Sequence, residues 1–259
     1  MTAGIGYSGA FATSIDSGGA VGLDTGYIRD CKVSWLSVTQ VQIATGVCRS
    51  DDDTTDMQVS GVLTADITVT GANGRNVDTV ESANKWYAVF VIKNIATGAI
   101  AGFLVNEDDL LTFTWPVGYS KKRRVGWIRN NALSDLRNGI YFGVGSFRPF
   151  FYRVERPELL ALYHGSMTIF TSFDASEWIP PTLRCIKLVV LFYCGAESQY
   201  WLRPTGSVAT DTINRVLQTP EHATYFQDIE VSALGSIDYQ VLAGGNELTI
   251  WAQGYIDEI

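Results

Sequence analysis

Short runs of β-branched and aromatic residues, broken every few positions by glycine, proline or asparagine, recur along most of the chain. The clearest pair is residues 87–93 and 99–105, separated by Asn-Ile-Ala-Thr-Gly at residues 94–98. Val, Ile, Tyr and Phe favour strands, and a turn of this composition favours a hairpin in which Gly98 takes a positive φ. Alternation with period two begins near Lys32. The pattern predicts an all-β fold with few helices.

The remaining segments extend this pattern towards the end of the sequence. The most apolar one, residues 185–194, has the length of a buried central strand and is too short to cross a bilayer. Residues 157–163 favour a short helix or a strand. Further strands are predicted over residues 139–144, 149–154, 225–232, 237–242 and 247–253. So many short strands predict a jelly-roll-like β-sandwich.

The domain organisation follows from composition. Residues 31–259 are predicted to form the sandwich as one domain, and a division into two subdomains near Pro180-Pro181 is the alternative. Residues 1–30 are rich in Gly, Ser, Ala and Thr, and they hold too little apolar area to order alone. They are either a flexible terminus or an extended arm that anchors the protein to neighbouring subunits. The candidate anchors are Phe11, Ile15, Val21 and Leu23.

Charge and cysteine content exclude several classes of protein. The net charge of -8 and the pI near 4.8 disfavour nucleic-acid binding through overall charge. The first basic residue is Arg29, so the sequence lacks the basic start of a secretory signal, and no apolar run reaches a membrane span. We expect synthesis in a cytoplasm and no membrane insertion. The four cysteines include no closely spaced pair, which predicts buried free thiols rather than disulfides. They are Cys31, Cys48, Cys185 and Cys194.

One basic segment stands out in this acidic chain. The candidate interaction residues are Lys121, Lys122, Arg123, Arg124 and Trp127, and Arg129 follows them. Aromatic residues between cations are typical of nucleic-acid or glycan grooves. Simple alternation in a strand, however, would place Lys122 and Arg124 on one face, with Arg123 and Trp127 on the other. Ion pairing with acidic neighbours, for instance residues 107–109, is therefore favoured over one continuous basic surface.

The chain shows no motif of a known catalytic or metal site. The acidic run at residues 51–56 lacks the glycine and the final glutamate of an EF-hand loop. His164 and His222 are the only histidines, too few for a multi-histidine metal site. Carboxylates near aromatic segments, at Glu155, Glu158, Asp174 and Glu177, leave a two-carboxylate glycosidase open. We expect no enzymatic activity, no metal and no cofactor.

Two sets of motifs carry a resemblance to a known group of proteins. The first set is the Trp86-Tyr87 strand, the Asn94-x-x-Thr-Gly turn, and the Pro-x-Gly-Tyr-x-x-Lys-Arg-Arg-x-Gly segment that begins at Pro116. The second is the closing Trp-Ala-Gln-Gly-Tyr-Ile-Asp-Glu at residues 251–258. In this order the motifs resemble those of virion proteins of tailed bacteriophages, over roughly residues 30–259. The resemblance concerns fold and virion context, and it implies no catalytic residues.

The resemblance implies a structural protein of the virion, assembled as a homo-oligomer, most simply a trimer. Within that class a tail-associated fibre or receptor-binding protein that contacts other virion proteins and a host surface glycan is favoured. A capsid decoration or head-fibre protein, with residues 1–30 as a clamp, is the alternative. Two further alternatives are an exopolysaccharide depolymerase and a carbohydrate-binding module that uses Trp115, Trp127, Trp178 and Trp201. For each tryptophan, burial between sheets is favoured over exposure.

Overall fold

A computed structural model describes residues 24–77, 79–143, 145–194, 198–207, 213–217, 221–242 and 246–259. These residues form twenty strands and two short 3-10 helices, at Glu107–Asp109 and Arg156–Leu159, and they contain no α-helix. The prediction of an all-β fold is confirmed. No helix within these ranges is long and apolar enough to span a membrane.

The first half of the chain contributes ten strands. They are β1 (Ile28–Asp30), β2 (Val33–Ser37), β3 (Gln40–Ile43), β4 (Gly46–Arg49), β5 (Asp56–Val59), β6 (Leu63–Asp66), β7 (Gly74–Arg75), β8 (Lys85–Asn94), β9 (Ile100–Asn106) and β10 (Tyr119–Asn130). Strands β1, β4 and β5 form a three-stranded sheet, and a four-stranded sheet has the order β10-β8-β9-β7. The predicted hairpin is confirmed as β8 and β9, with Gly98 at a φ of 75°.

The second half contributes the other ten strands. They are β11 (Gly139–Tyr141), β12 (Phe147–Tyr152), β13 (Leu160–Gly165), β14 (Thr171–Asp174), β15 (Cys185–Cys194), β16 (Ser198–Pro204), β17 (Ile213–Leu217), β18 (Glu221–Glu230), β19 (Ser236–Val241) and β20 (Glu247–Glu258). A four-stranded sheet has the order β14-β19-β16-β17. The predicted strand at residues 185–194 is confirmed, and residues 157–163 contain the end of a 3-10 helix followed by β13.

A nine-stranded sheet joins the two halves of the chain. Its order is β18-β15-β20-β12-β11-β2-β3-β6, and β13 also pairs with β20. The two halves meet in this sheet where Ile140 of β11 pairs with Ser34 of β2. Strands β12 and β13 precede Pro180 and pair with β20, which follows it. A division into subdomains near residue 180 stays a prediction.

The two four-stranded sheets pack on the nine-stranded sheet through closely fitted side chains. A Cβ added to Gly126 of β10 would lie 2.7 Å from the ring of Tyr141 on β11, so these strands approach closely. Tyr200 on β16 of the other four-stranded sheet contacts Phe192 on β15 of the nine-stranded sheet, with ring centroids 5.1 Å apart. Burial of large aromatic rings between sheets is the main favourable contribution to such a fold.

Two further predictions concern the cysteines and the segment at residues 1–30. All four cysteines are free; Cys31, Cys48 and Cys194 are buried as predicted, whereas Cys185 is half-buried. Burial raises the pKa of Cys185 to about 11. The anchor residues Phe11, Ile15, Val21 and Leu23 lie outside the described residues. Residues 28–30, the end of the segment predicted as an arm, form β1 and pair with β4.

Candidate functional site

The basic segment lies in the first half of β10, next to a β-bulge. Arg124 pairs with Phe90 of β8, and Gly126 pairs with the next residue, Val89, so Val125 is the extra residue. Trp127 consequently pairs with Ala88, two residues from Phe90. The bulge therefore places Arg124 and Trp127 on the same face. The guanidinium carbon of Arg124 lies 5.6 Å from the ring centroid of Trp127, so the predicted separation of these two residues was wrong.

Cations of this segment are paired with the acidic run at residues 51–56. Lys121 donates to the carboxylate of Asp52. Arg123 lies 3.8 Å from Asp51 and donates to the backbone carbonyl of Gly26 at 2.8 Å. Hydrogen bonds from Lys121, Ser50 and Thr54 hold the pKa of Asp52 below its ordinary value. The acidic run serves as counter-charge to β10.

The acidic residues 107–109, which were predicted to pair with the basic segment, lie elsewhere. Glu107 and Asp108 pair with Lys85, at 3.7 and 2.8 Å. The reason is the direction of the hairpin, since Lys121 pairs with Lys93 at the far end of β8 from Lys85. At about 3.3 Å per residue, those ends are roughly 26 Å apart. The prediction that the basic segment forms ion pairs is confirmed, but its partners are Asp51 and Asp52 rather than residues 107–109.

Lys122 occupies an aromatic setting. Its Nζ lies 5.1 Å from the ring centroid of Phe90, 4.7 Å from that of Phe113 and 5.9 Å from that of Trp115. Phe113 and Trp115 belong to the segment between β9 and β10, and they pack against the hydrophobic core. A cation at these distances is attracted by the negative ring faces. Lys122 thus fastens this segment to β10.

Arg124 reaches a buried network of hydroxyl and carboxylate groups. Its Nη1 donates to both carboxylate oxygens of Asp257 on β20, at 2.8 and 2.9 Å, and the Asp257 side chain is fully buried. The hydroxyl of Tyr141 lies 3.1 Å from Asp257 and 3.0 Å from the hydroxyl of Tyr255. The Tyr255 hydroxyl donates to the backbone carbonyl of Trp127 at 3.1 Å. One ion pair and two tyrosines therefore tie β10 to β11 and β20.

The protonation of this network suits a structural role. Burial raises the pKa values of Tyr141 and Tyr255 well above the ordinary value, so both hydroxyls remain protonated donors. Burial also raises the pKa of Asp257, while the charge of Arg124 acts in the opposite direction. Neither tyrosine can serve as a base near neutral pH. Sequence analysis missed this network, although Asp257 and Tyr255 lie in the closing motif that it singled out.

The turn motif and the basic segment also fit together. The side-chain oxygen of Asn94 accepts hydrogen bonds from the backbone of Ala96 and Thr97, which closes the β8–β9 turn. Gly118 has a φ of 83°, and a Cβ there would lie 2.4 Å from the amide nitrogen of Asn94. Only glycine combines that backbone angle with this close approach. The two motifs are therefore complementary parts of one local structure.

The other candidate residues take ordinary structural positions. Trp127 and Trp178 are buried, and Trp115 and Trp201 are half-buried. Among the residues that the structure describes, no group of three His, Cys, Asp or Glu side chains is placed to hold a metal ion. Because Trp127 is fully buried, its indole does not form part of the surface.

We compared the sequence with protein-family models and with curated proteins. No protein-family model matches the chain, and no curated protein matches it.

Proposed function

We propose that this protein is a structural component of a tailed-bacteriophage virion and acts in host attachment as a tail-associated fibre or receptor-binding protein. The observation that carries the proposal is the convergence of the motifs behind the resemblance. Arg124 of the basic segment binds Asp257 of the closing motif, although 133 residues separate them in sequence. Trp86 of the first strand motif contacts Tyr255 edge to face, with ring centroids 5.6 Å apart.

This convergence supports a structural role for the motif residues rather than a catalytic one. Asn94 and Gly118 complete a turn, Lys122 packs on aromatic rings, and Arg124 neutralises a buried carboxylate. These four motif residues are thus occupied by intramolecular contacts. Enzymes keep reactive groups free to meet a substrate, and structural proteins have no such requirement. The motif therefore fits a protein whose task is to hold a shape on a particle.

The proposal includes assembly as a homo-oligomer, most simply a trimer, together with contacts to other virion proteins. Two apolar side chains beside the motif support it, since Leu111 is 98 % exposed and Val117 is 99 % exposed. They flank Phe113 and Trp115, which pack on the core. Exposed apolar groups gain free energy when a partner covers them. Repeated copies would let weak contacts with a host surface glycan act together.

The finer fold class, a jelly-roll-like sandwich, is also part of the proposal. Its support is the strand order, in which β20 lies between β12 and β15 and β2 lies beside β11. Such neighbours, distant in sequence, are typical of sandwiches with long connections between sheets.

The exposed apolar pair favours a second candidate as well. A capsid decoration or head-fibre protein would use Leu111 and Val117 against neighbouring capsid subunits rather than against a glycan. In that case residues 1–30 would act as a clamp. Removal of residues 1–23, which keeps β1 in place, would then abolish attachment to particles while the fold is retained.

An adsorption-competition assay tests the preferred role. Purified protein is mixed with susceptible cells before phage is added, and free phage is counted after adsorption. Dose-dependent blocking is expected for a receptor-binding protein. A protein that is folded and oligomeric by circular dichroism and light scattering, yet fails to block, would contradict this role. Binding of the same preparation to particles stripped of decoration would then identify the second candidate.

A further inference from the structure

A cavity at the second half of β10 contains a buried arginine with an unusual lack of partners. The cavity has a volume of about 200 Å³ and lies between β8, β10 and the loops around residues 176–184 and 233–235. Arg129 lines it and is 7 % exposed. Its guanidinium carbon lies 5.7 Å from the ring centroid of Trp86, which also lines the cavity. A charged side chain is therefore held in place at the cavity wall.

Within the described residues, no hydrogen bond or ion pair reaches the Arg129 guanidinium, and its Nε is buried without a partner. Burial lowers the pKa of Arg129, which the charges of Glu107 and Glu177 partly offset. Neither carboxylate forms an ion pair with it, because Glu107 pairs with Lys85 and Glu177 pairs with Arg137. An unpaired buried charge is costly, so a group of this kind calls for a partner from outside the chain.

The surroundings of Arg129 favour an anion. Arg184 also lines the cavity; its Nη1 donates to the backbone carbonyls of Pro181 and Leu183, and among the described residues it has no ion pair. Glu107 is the acidic residue of the lining, and it accepts a hydrogen bond from the Trp86 backbone besides pairing with Lys85. In the described part of the chain, the cavity thus presents two arginines without carboxylate partners and one carboxylate that is already engaged.

We propose that this cavity binds a small carboxylate, with Arg129 as its principal ligand and Arg184 at its mouth. The planar guanidinium matches a carboxylate with two parallel hydrogen bonds. The volume lies below the range of about 300–1,000 Å³ that is typical for drug-sized ligands, which favours a small group. Glu107 selects against a doubly charged anion, since a second negative charge in the cavity would meet its carboxylate. A free carboxylate and the carboxylate of an acidic sugar share this chemistry.

Isothermal titration calorimetry on the full-length protein tests the proposal. Sodium glucuronate, sodium acetate, sodium phosphate and glucose serve as probes at constant ionic strength. Saturable binding of one glucuronate or acetate per chain is expected, with weaker binding of phosphate and none of glucose. Tighter binding of glucuronate than of acetate would assign the site to an acidic sugar, and equal binding would assign it to the carboxylate alone.

Variants identify the site. Arg129→Gln should weaken binding at least tenfold because it removes the charged donor, and Arg129→Lys should retain part of it. Glu107→Gln should tighten binding because it removes the opposing charge. Arg49→Gln is the matched control, since Arg49 lies on β4 and pairs with Asp56, and it should leave binding unchanged.

Two results would overturn the proposal. One is the absence of saturable binding of glucuronate and acetate to the folded wild-type protein. The other is equal affinity in the wild type and Arg129→Gln. If Arg129→Gln does not fold, Arg129→Lys and Glu107→Gln decide the question, because they must change affinity in opposite directions. The inference is independent of the proposed virion role.

Discussion

Arg124 in the first half of β10 forms an ion pair, whereas Arg129 in the second half forms none among the described residues. Arg124 and Arg129 each lie over a tryptophan ring, at 5.6 and 5.7 Å from the centroid. Arg124 also binds the buried carboxylate of Asp257 on β20. Arg129 is more deeply buried, has no ion pair among the described residues and faces a cavity. The bulge at Val125 lies between them.

This difference shows that a dense cluster of cations in the sequence need not be free to bind a ligand. The basic segment is the densest cluster of charge in the sequence, but three of its cations form ion pairs with Asp51, Asp52 and Asp257, and the fourth, Lys122, lies among aromatic rings. The isolated Arg129 carries one charge that has no ion pair or hydrogen bond among the described residues. Free binding capacity depends on unpaired groups, and pairing is a property of the folded chain.

The largest expected effect on stability comes from removing the ion pair between Arg124 and Asp257. Arg124→Gln leaves the Asp257 carboxylate buried without its counter-charge, and we expect the free energy of unfolding to fall by about 3 kcal/mol. Urea denaturation followed by tryptophan fluorescence measures it. Arg49→Gln removes an ion pair with Asp56, whose side chain is 41 % exposed, and two hydrogen bonds to the backbone carbonyl of Asp53, and it should cost less than Arg124→Gln because its carboxylate partner stays hydrated. Equal losses in the two variants would show that Asp257 does not depend on Arg124.

A substitution at the bulge tests how tightly β10 packs on β11. In Gly126→Ala, the added methyl group would lie 2.7 Å from Tyr141, whose hydroxyl contacts Asp257. Overpacking of this kind should lower the free energy of unfolding by about 2 kcal/mol. Gly61→Ala, where no atom lies within 4 Å of the added Cβ, is the control in the same denaturation experiment. An unchanged Gly126→Ala would mean that β10 and β11 can separate at little cost.

Replacement of Arg129, which has no ion pair among the described residues, should not lower stability. Arg129→Met keeps side-chain volume and removes a buried charge that lacks a partner, so stability should be unchanged or rise by about 1 kcal/mol. Thermal and urea unfolding without added anions give the value. A loss greater than about 2 kcal/mol would show that Arg129 supports the fold itself, which would remove the contrast with Arg124.

The smallest effect concerns the exposed pair of the basic segment. Hydrogen bonds from Lys121, Ser50 and Thr54 lower the pKa of Asp52 from 3.8, so the folded state holds this proton less tightly than the unfolded state. The resulting stabilisation is present above pH 3.8 and is lost as the pH falls through the folded pKa. Asp52→Asn should have a slightly lower Tm than the wild type near neutral pH, with the difference vanishing in acid. Added salt should reduce it. A difference that grows in acid would contradict this assignment.

Much of the fold could be predicted because local rules govern it. The β8–β9 hairpin and β15 follow from residue type and turn chemistry, which act over a few neighbouring positions. The bulge at Val125 could not be predicted, because alternation assumes an unbroken ladder, and one extra residue reverses every later position. It accounts for the wrong assignment of Trp127.

The sites were harder to predict because they depend on long-range pairing. Arg124 and Asp257 meet only because β10 packs against the nine-stranded sheet at the position of β20. The cavity around Arg129 needs loops that follow β14 and β18, far from β10 in sequence. Sequence analysis included Arg129 among the basic residues, but no local signal distinguishes an unpaired arginine from a paired one.

The position of β20 has a consequence for biosynthesis. Strands β12, β13 and β15 all pair with β20, so the centre of the nine-stranded sheet remains incomplete until residues 247–258 have been translated. A nascent chain on the ribosome therefore exposes unpaired edges, including the apolar strand Cys185–Cys194. Pairing between neighbouring nascent chains on one polysome competes with correct folding during that interval. Slow translation of the codons for residues 195–258 should lower the yield of soluble protein.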